Sequence, residues 1–183
     1  MAILHRATLT PSKPALVEAW LDRQPWGGSG ELEVIGSYRF DDPEGAVGVE
    51  GILVRRAGQV LHAPLTYRGA PLEGAEASLV GTTSHSALGT RWVYEAASDP
   101  VAVACFTRAL AGEQDQVTLE LYEGEELIAR PEPAVRLQRR PGSAATTGDL
   151  RLARVLTDPP EALDGAEQLV ATWSDGEAVV AVR

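Results

Sequence analysis

Ser84-His85-Ser86 sets a histidine between two hydroxyls, the raw material of nucleophilic catalysis, in which an imidazole takes the proton of an attacking oxygen. Neighbouring residues rarely reach that geometry, and no G-x-S-x-G elbow accompanies them, so the tripeptide reads as a loop histidine with capping serines. Asp41, Asp42 and Glu44 could gather a calcium ion, but the twelve-residue loop of oxygen ligands is missing and DDPEG at 41–45 reads as a solvated turn. Glu123, Glu125 and Glu126 likewise mark a hairpin turn, since paired catalytic carboxylates come from separate elements facing a cleft. His5 and His62 lack ligand spacing and read as packing or edge residues. Cys105 is the only cysteine. It excludes an intrachain disulfide and a cysteine zinc cluster, and it reads as a buried, inert thiol. Neither common nucleotide signature, G-x-G-x-x-G or G-x-x-x-x-G-K-[ST], is present. These residues nominate no catalytic group, no metal ligand and no cofactor.

Composition narrows the classes further. The formal net charge of −10 over 183 residues disfavours a nucleic-acid or anionic-membrane surface, because phosphate binding depends on clustered Lys and Arg. Arg136, Arg139 and Arg140 form the only local basic group and read as a strand end entering a loop. Lys13 is the single lysine. A hydrophobic content of 44% permits a packed interior, and the length suits one domain or two small ones sharing a core. The opening MAILHRATLT is too short and polar for a secretion signal, and no apolar run approaches the roughly eighteen residues of a membrane span. A reducing, cytoplasmic location is the expectation.

The elements that would position any site follow from periodicity. Ser12 can cap a helix whose first turn holds Pro14, with Leu16, Val17, Trp20 and Leu21 at helical spacing until Gln24-Pro25. Leu32, Val34, Tyr38 and Phe40 fall on one strand face, and Val47, Val49 and Leu53 alternate before the turn at Arg55-Arg56-Ala57-Gly58. Leu61, Ala63, Leu65 and Tyr67 alternate after it, with Pro64 pointing to an edge position. Asp99-Pro100 starts a second helix through Val101, Ala104, Cys105, Phe106 and Leu110 to a stop at Gly112. Beyond it the pattern is strand: Val117, Leu119 and Leu121 before a tight turn at Gly124, then Ile128, Val135 and Leu137. RRPGSAATTG at 139–148 reads as linker or loop, Leu150 and Leu152 as a strand, and Leu169 to Val182 as a hairpin turning at Ser174-Asp175-Gly176.

One stretch resists this parsing. From Leu65 to Ala96 the chain reads as neither clean helix nor clean strand, yet it places Tyr67, Trp92 and Tyr94 in or beside a glycine-rich run. A structureless connection of that length is uncommon in a compact domain unless it is functional or wrongly parsed.

That stretch also carries a family resemblance. HRATLTPSK at 5–13, LVEAWLDRQPW at 16–26, DDPEGAVGVE at 41–50 and PLTYRGAPLEGAEASLVGTTSHSALGTRWVYEAASDPV at 64–101 resemble the N-terminal cap-like domain of bacterial maltokinases, most of all its stand-alone relatives, often labelled α-glucan branching proteins. The resemblance covers roughly residues 1–112. It implies a helix packed on a curved antiparallel sheet of cystatin-like type, with the glycine-rich segment an extended crossing anchored over the sheet by its aromatics. RVLTDPPEALDGAEQLVATWSDGEAVVAVR at 154–183 looks like the first strands of a kinase nucleotide lobe that has lost its chemistry. Glu167 and Gln168 remain, but Leu169, Val170 and Ala171 stand where such enzymes carry polar phosphate-loop residues. Ala181 falls where their lysine stands, no histidine begins an H-x-D loop, and the chain stops at Arg183.

The resulting expectation is an α+β protein: residues 1–112 a cap-like domain with an N-terminal helix on a curved antiparallel sheet, followed by a second helix and, over 113–183, an antiparallel β-rich lobe. Its expected role is a non-catalytic binding or regulatory module, partnered by a maltokinase-like kinase or another enzyme of α-glucan or trehalose metabolism. The alternative is a small-ligand or sugar-binding protein with Trp26, Trp92 or Tyr94 as stacking face. Because recognition residues concentrate on loops held by a rigid scaffold, Arg68, Glu76, His85 and Trp92 are the candidate partner or ligand surface.

Overall fold

A computed structural model describes residues 2–3, 8–123, 126–129, 131–157 and 163–183, with only the backbone described at 2–3, 119–123 and 126–129. In chain order the elements are β1 (Ala2–Ile3), β2 (Leu9–Thr10), α1 (Lys13–Leu21), β3 (Glu33–Phe40), β4 (Gly48–Arg56), β5 (Gln59–Arg68), β6 (Leu79–His85), β7 (Gly89–Glu95), α2 (Pro100–Ala111), β8 (Leu119–Glu123), β9 (Glu126–Ala129), β10 (Arg136–Pro141), β11 (Arg151–Leu152), β12 (Glu167–Trp173) and β13 (Gly176–Val182). No helix among the described residues is long and apolar enough to cross a membrane.

The largest sheet is a curled, antiparallel half-barrel in the order β2-β6-β7-β5-β4-β3. A four-stranded antiparallel sheet, β10-β12-β13-β11, forms the C-terminal layer, and β1-β8-β9 make a small third sheet in which β1 runs parallel to β8. The fold is α+β, as the periodicity implies. The turn at Gly124, together with Glu125 and His5, lies outside the described residues.

Local chemistry sets the element ends. Ser12 caps α1 by accepting the Ala15 N–H at 3.4 Å, and Asp99 caps α2 by accepting the Val101 N–H at 3.0 Å. Gly112 closes α2 in the left-handed conformation, which costs a residue without Cβ little. Helix α1 ends at Leu21, three residues short of Gln24, and a short run of turns carries the chain onward. The Asp42 carboxylate organises the β3–β4 turn by accepting from the N–H groups of Glu44, Ala46 and Val47 at 3.1, 3.0 and 2.9 Å.

The glycine-rich stretch corrects the expectation of a crossing over the sheet. Its second half is sheet, the hairpin β6–β7 paired from Leu79↔Tyr94 to His85↔Gly89. The alternation is hidden because the register shifts between Leu79 and Gly81. A bulge in β3 between Val34 and Gly36 has the same effect, leaving Val34 45% exposed while Tyr38 and Phe40 are buried. Pro64 is not on an edge strand, since β5 lies between β4 and β7. It is tolerated because β7 pairs only from Leu65 onward, so a missing N–H at 64 breaks no ladder. The 139–148 loop is shorter than expected, because Arg139 to Pro141 complete β10 against Leu169 to Glu167.

Two apolar cores flank the half-barrel. On one face α1 packs Leu16, Val17, Trp20 and Leu21 onto Ile52, Val54, Leu61, Ala63, Leu65, Val80 and Val93. On the other, Tyr38, Phe40, Val49 and Leu53 meet Cys105, Phe106 and Leu110 of α2 and then Leu169, Ala171, Val180 and Ala181 of the C-terminal sheet. The second core thus takes residues from both halves of the chain.

Candidate functional site

The polar side chains that the fold takes out of water fall into three groups. The first lies between the half-barrel and the C-terminal layer. Tyr38 and His62 are buried side by side, with the phenol oxygen 2.8 Å from Nε2 and Nδ1 2.8 Å from the Ala153 carbonyl oxygen. A carbonyl can only accept, so Nδ1 carries the proton and Nε2 accepts from the Tyr38 hydroxyl. Burial lowers the His62 pKa to about 4, against the opposing pull of the Ala153 carbonyl, and burial raises the Tyr38 phenol above its ordinary value. Gly51 makes room for the ring: a Cβ there would stand 2.2 Å from Tyr38 Cζ. This group ties layers together and has no access to a ligand.

The second group is Arg68 and Asp99. Arg68 Nε and Nη2 donate to Asp99 Oδ2 and Oδ1 at 2.6 and 2.7 Å, a fork-on-fork pair with a carboxylate that is fully buried. Burial works to raise the Asp99 pKa, but the Arg68 hydrogen bonds, with the Val101 N–H, outweigh it and hold the carboxyl below its usual range.

The third group lies on the α1 face, where the N-terminal end of the helix meets the sheet. The chain's one lysine, Lys13, reaches Glu50 Oε2 at 2.6 Å and stands 5.3 Å from the centre of the Tyr67 ring. Glu50 is only 4% exposed, and that ammonium is the cation its buried carboxylate meets. The Tyr67 hydroxyl is shielded from water close to the Glu50 carboxylate. Burial first, then the nearby Glu50 charge, push its phenol well above the ordinary value. Around this pair Arg39 and Arg91, both half-buried, rise from β3 and β7. Neither has an ion-pair or side-chain hydrogen-bond partner among the described residues, unlike Arg55, Arg56, Arg68, Arg136, Arg140, Arg154 and Arg183.

The four residues singled out from the sequence are only partly brought together. Arg68 and Trp92 are register partners on β5 and β7, and Trp92 is half-buried. Arg68, however, is bound to Asp99 and does not offer a free guanidinium. Glu76 is exposed in a short 3-10 turn (Glu76–Ser78), where Oε1 accepts the Gly74 N–H at 3.2 Å. His85, at the far end of β6, accepts the N–H groups of Ala87 and Leu88 at Nδ1, at 3.2 and 3.1 Å, while Ser86 Oγ accepts the Thr8 N–H at 3.1 Å. The tripeptide is thus not the expected loop histidine with capping serines: Ser84 and His85 complete β6, and the histidine itself caps the turn that follows. Of the proposed stacking rings, Tyr94 is 3% exposed with its hydroxyl accepting the Leu72 N–H at 2.9 Å, and Trp26 packs edge-on to Trp20 beneath Arg154. Cys105 is fully buried, with burial pushing its thiol pKa up. Arg39, Glu50 and Arg91 escaped the sequence reading because strand alternation marks them as polar but cannot show that they share one face with Lys13.

A half-barrel with one helix across it, closed behind by a second helix and a small antiparallel sheet, defines a compact α+β scaffold whose polar groups serve mainly to bind layers to each other. Residues 20–99, from the last turn of α1 to the cap of α2, match the family model of the maltokinase N-terminal cap domain. The resemblance read from the sequence therefore holds, over a narrower stretch than 1–112. No curated protein matches the chain.

Proposed function

We propose that the protein is a non-catalytic binding or regulatory module related to the cap region of maltokinases, acting beside a maltokinase-like kinase or another enzyme of α-glucan or trehalose metabolism in the cytoplasm. The observation that carries this reading is the cap-domain match, which spans the half-barrel from β3 to β7 in one block. On this reading the helix and half-barrel are of cystatin-like type, residues 1–112 are the cap-like unit, and 113–183 descend from a kinase nucleotide lobe.

The C-terminal sheet supports the non-catalytic part. Leu169 and Ala181 are register partners on β12 and β13, and both point into the core. The position of the lost lysine is thus fully buried among apolar side chains. Phosphoryl transfer requires a cation and metal-binding acids around the phosphates, and this location would bury them without partners.

Two measurements test the proposal. Calorimetry with Mg-ATP, beside an assay of maltose phosphorylation, is expected to give neither binding nor product. A low-micromolar dissociation constant, roughly −8 kcal/mol, together with sugar phosphate formation would overturn it. A native pull-down read by mass spectrometry is expected to recover a sugar kinase or α-glucan enzyme, and recovery of neither would remove the partner assignment.

A further inference from the structure

The two arginines of the α1 face that lack an ion-pair partner among the described residues each reach over a glycine. Arg39 pairs in register with Glu50, and its Nη2 lies 3.8 Å from where a Cβ on Gly48 would stand. Arg91 lies on β7 beside Val93, and its Nη1 lies 2.9 Å from the corresponding point on Gly69. Gly48 is the register partner of Tyr67, and Gly69 follows two residues after Tyr67, directly past the end of β5. Diagonal neighbours across an antiparallel pair are about 7–8 Å apart. A tetrahedral oxyanion joined to two guanidiniums by bonds of about 2.8 Å spans a similar distance.

Charge points the same way. Lys13, Arg39 and Arg91 bring three positive charges to one face, where the Glu50 carboxylate is ion-paired to Lys13 and is the register partner of Arg39. A glycine stands beside each guanidinium, so no side chain from that position fills the space around it. We propose that Arg39 and Arg91 form a binding site for a doubly charged oxyanion, the phosphate of a small phosphate monoester or free inorganic phosphate, with the Lys13–Glu50 pair as its fixed wall. The site needs no catalytic step and does not depend on the partner assigned above.

The test is a titration of the full-length chain, followed by two-dimensional NMR and calorimetry, with inorganic phosphate in one arm and glycerol phosphate in the other. Saturable binding is expected at millimolar concentration or below, weakening as salt rises and tightening as pH rises through the second phosphate pKa, about 6 for the monoester and higher for the inorganic ion. Tighter binding of glycerol phosphate assigns the site to a monoester, and equal binding assigns it to the inorganic ion. Arg39→Gln and Arg91→Gln should each weaken binding about tenfold, the equivalent of 1.4 kcal/mol. Arg139→Gln, which removes an arginine far from this face, should leave it unchanged. Gly69→Ala keeps every charge but displaces the Arg91 head, and should weaken binding with the melting temperature held. Absence of saturable binding, or binding that survives in the Arg39→Gln/Arg91→Gln double variant, would overturn the proposal.

Discussion

His62 accepts a hydrogen bond from Tyr38 on β3 while its other ring nitrogen donates to Ala153, beyond the second helix in sequence and at the start of the segment that runs along β5. The imidazole therefore joins N-terminal and C-terminal parts of the chain through one neutral tautomer. Because the folded pKa is about 4 and an unfolded histidine titrates near 6.5, the unfolded chain binds the extra proton first. The contribution is fully present above about pH 6.5 and is lost as pH falls toward 4, amounting to roughly 3 kcal/mol across that window. Urea unfolding at pH 4.5 and 7.5 should show this slope in the wild type and a flatter one in His62→Gln. Equal slopes would mean that His62 does not stay neutral in the fold.

Arg68 and Asp99 act in a different window. The Asp99 carboxyl is held below its usual range, so its contribution is present above its ordinary carboxylate pKa and is lost only as pH falls through the lower folded value. Arg68→Ala would leave a fully buried carboxylate without its cation, at a cost of about 2–4 kcal/mol. Asp99→Asn keeps the α2 cap and should cost less. Chemical denaturation at neutral pH separates the two, and an Arg68→Ala variant within about 0.5 kcal/mol of wild type would return Arg68 to the exposed surface read from the sequence.

Lys13 and Glu50 form the corresponding pair beneath α1. Lys13→Met should destabilise by about 1–3 kcal/mol by stranding Glu50, and adding Glu50→Leu should restore much of the loss, since a matched apolar pair no longer buries a charge. A double-mutant cycle reads the coupling. Additive losses would show that the two side chains do not depend on each other.

What the sequence made legible was local. Ser12 before Pro14, Asp99 before Pro100, Gly112 and Asp175-Gly176 each state an element boundary in a few residues, and the structure places a boundary at each. The hairpin β6–β7 was illegible because the bulge at Gly81 breaks the alternation on which strand reading depends, and Gly81 packs directly under α1, where a Cβ would stand 2.9 Å from Leu16 Cδ1. The polar groups were illegible for another reason. Lys13 and Glu50 lie thirty-seven residues apart, Arg68 and Asp99 thirty-one, and His62 and Ala153 ninety-one, so no local spacing could pair them.

The two halves of the chain should unfold together. Segment 153–157 runs along the part of β5 that β7 leaves unpaired: the His62 N–H donates to the Arg154 carbonyl and the Leu156 N–H to the Val60 carbonyl, both at 2.8 Å, while the Val60 N–H donates to Thr157 Oγ1 at 3.0 Å. Behind it, Leu169, Val180 and Ala181 cover Phe40 and Phe106. A fragment of residues 1–138 would lose these backbone partners and the Ala153 carbonyl, and it would open an aromatic core to water. The full chain is expected to melt in one transition followed identically by tryptophan fluorescence and circular dichroism, and the fragment to melt far lower or to lack a cooperative transition. A fragment that keeps the melting temperature of the whole chain would instead make the C-terminal sheet an independent body and reduce the contacts at His62 and Val60 to a surface between two domains.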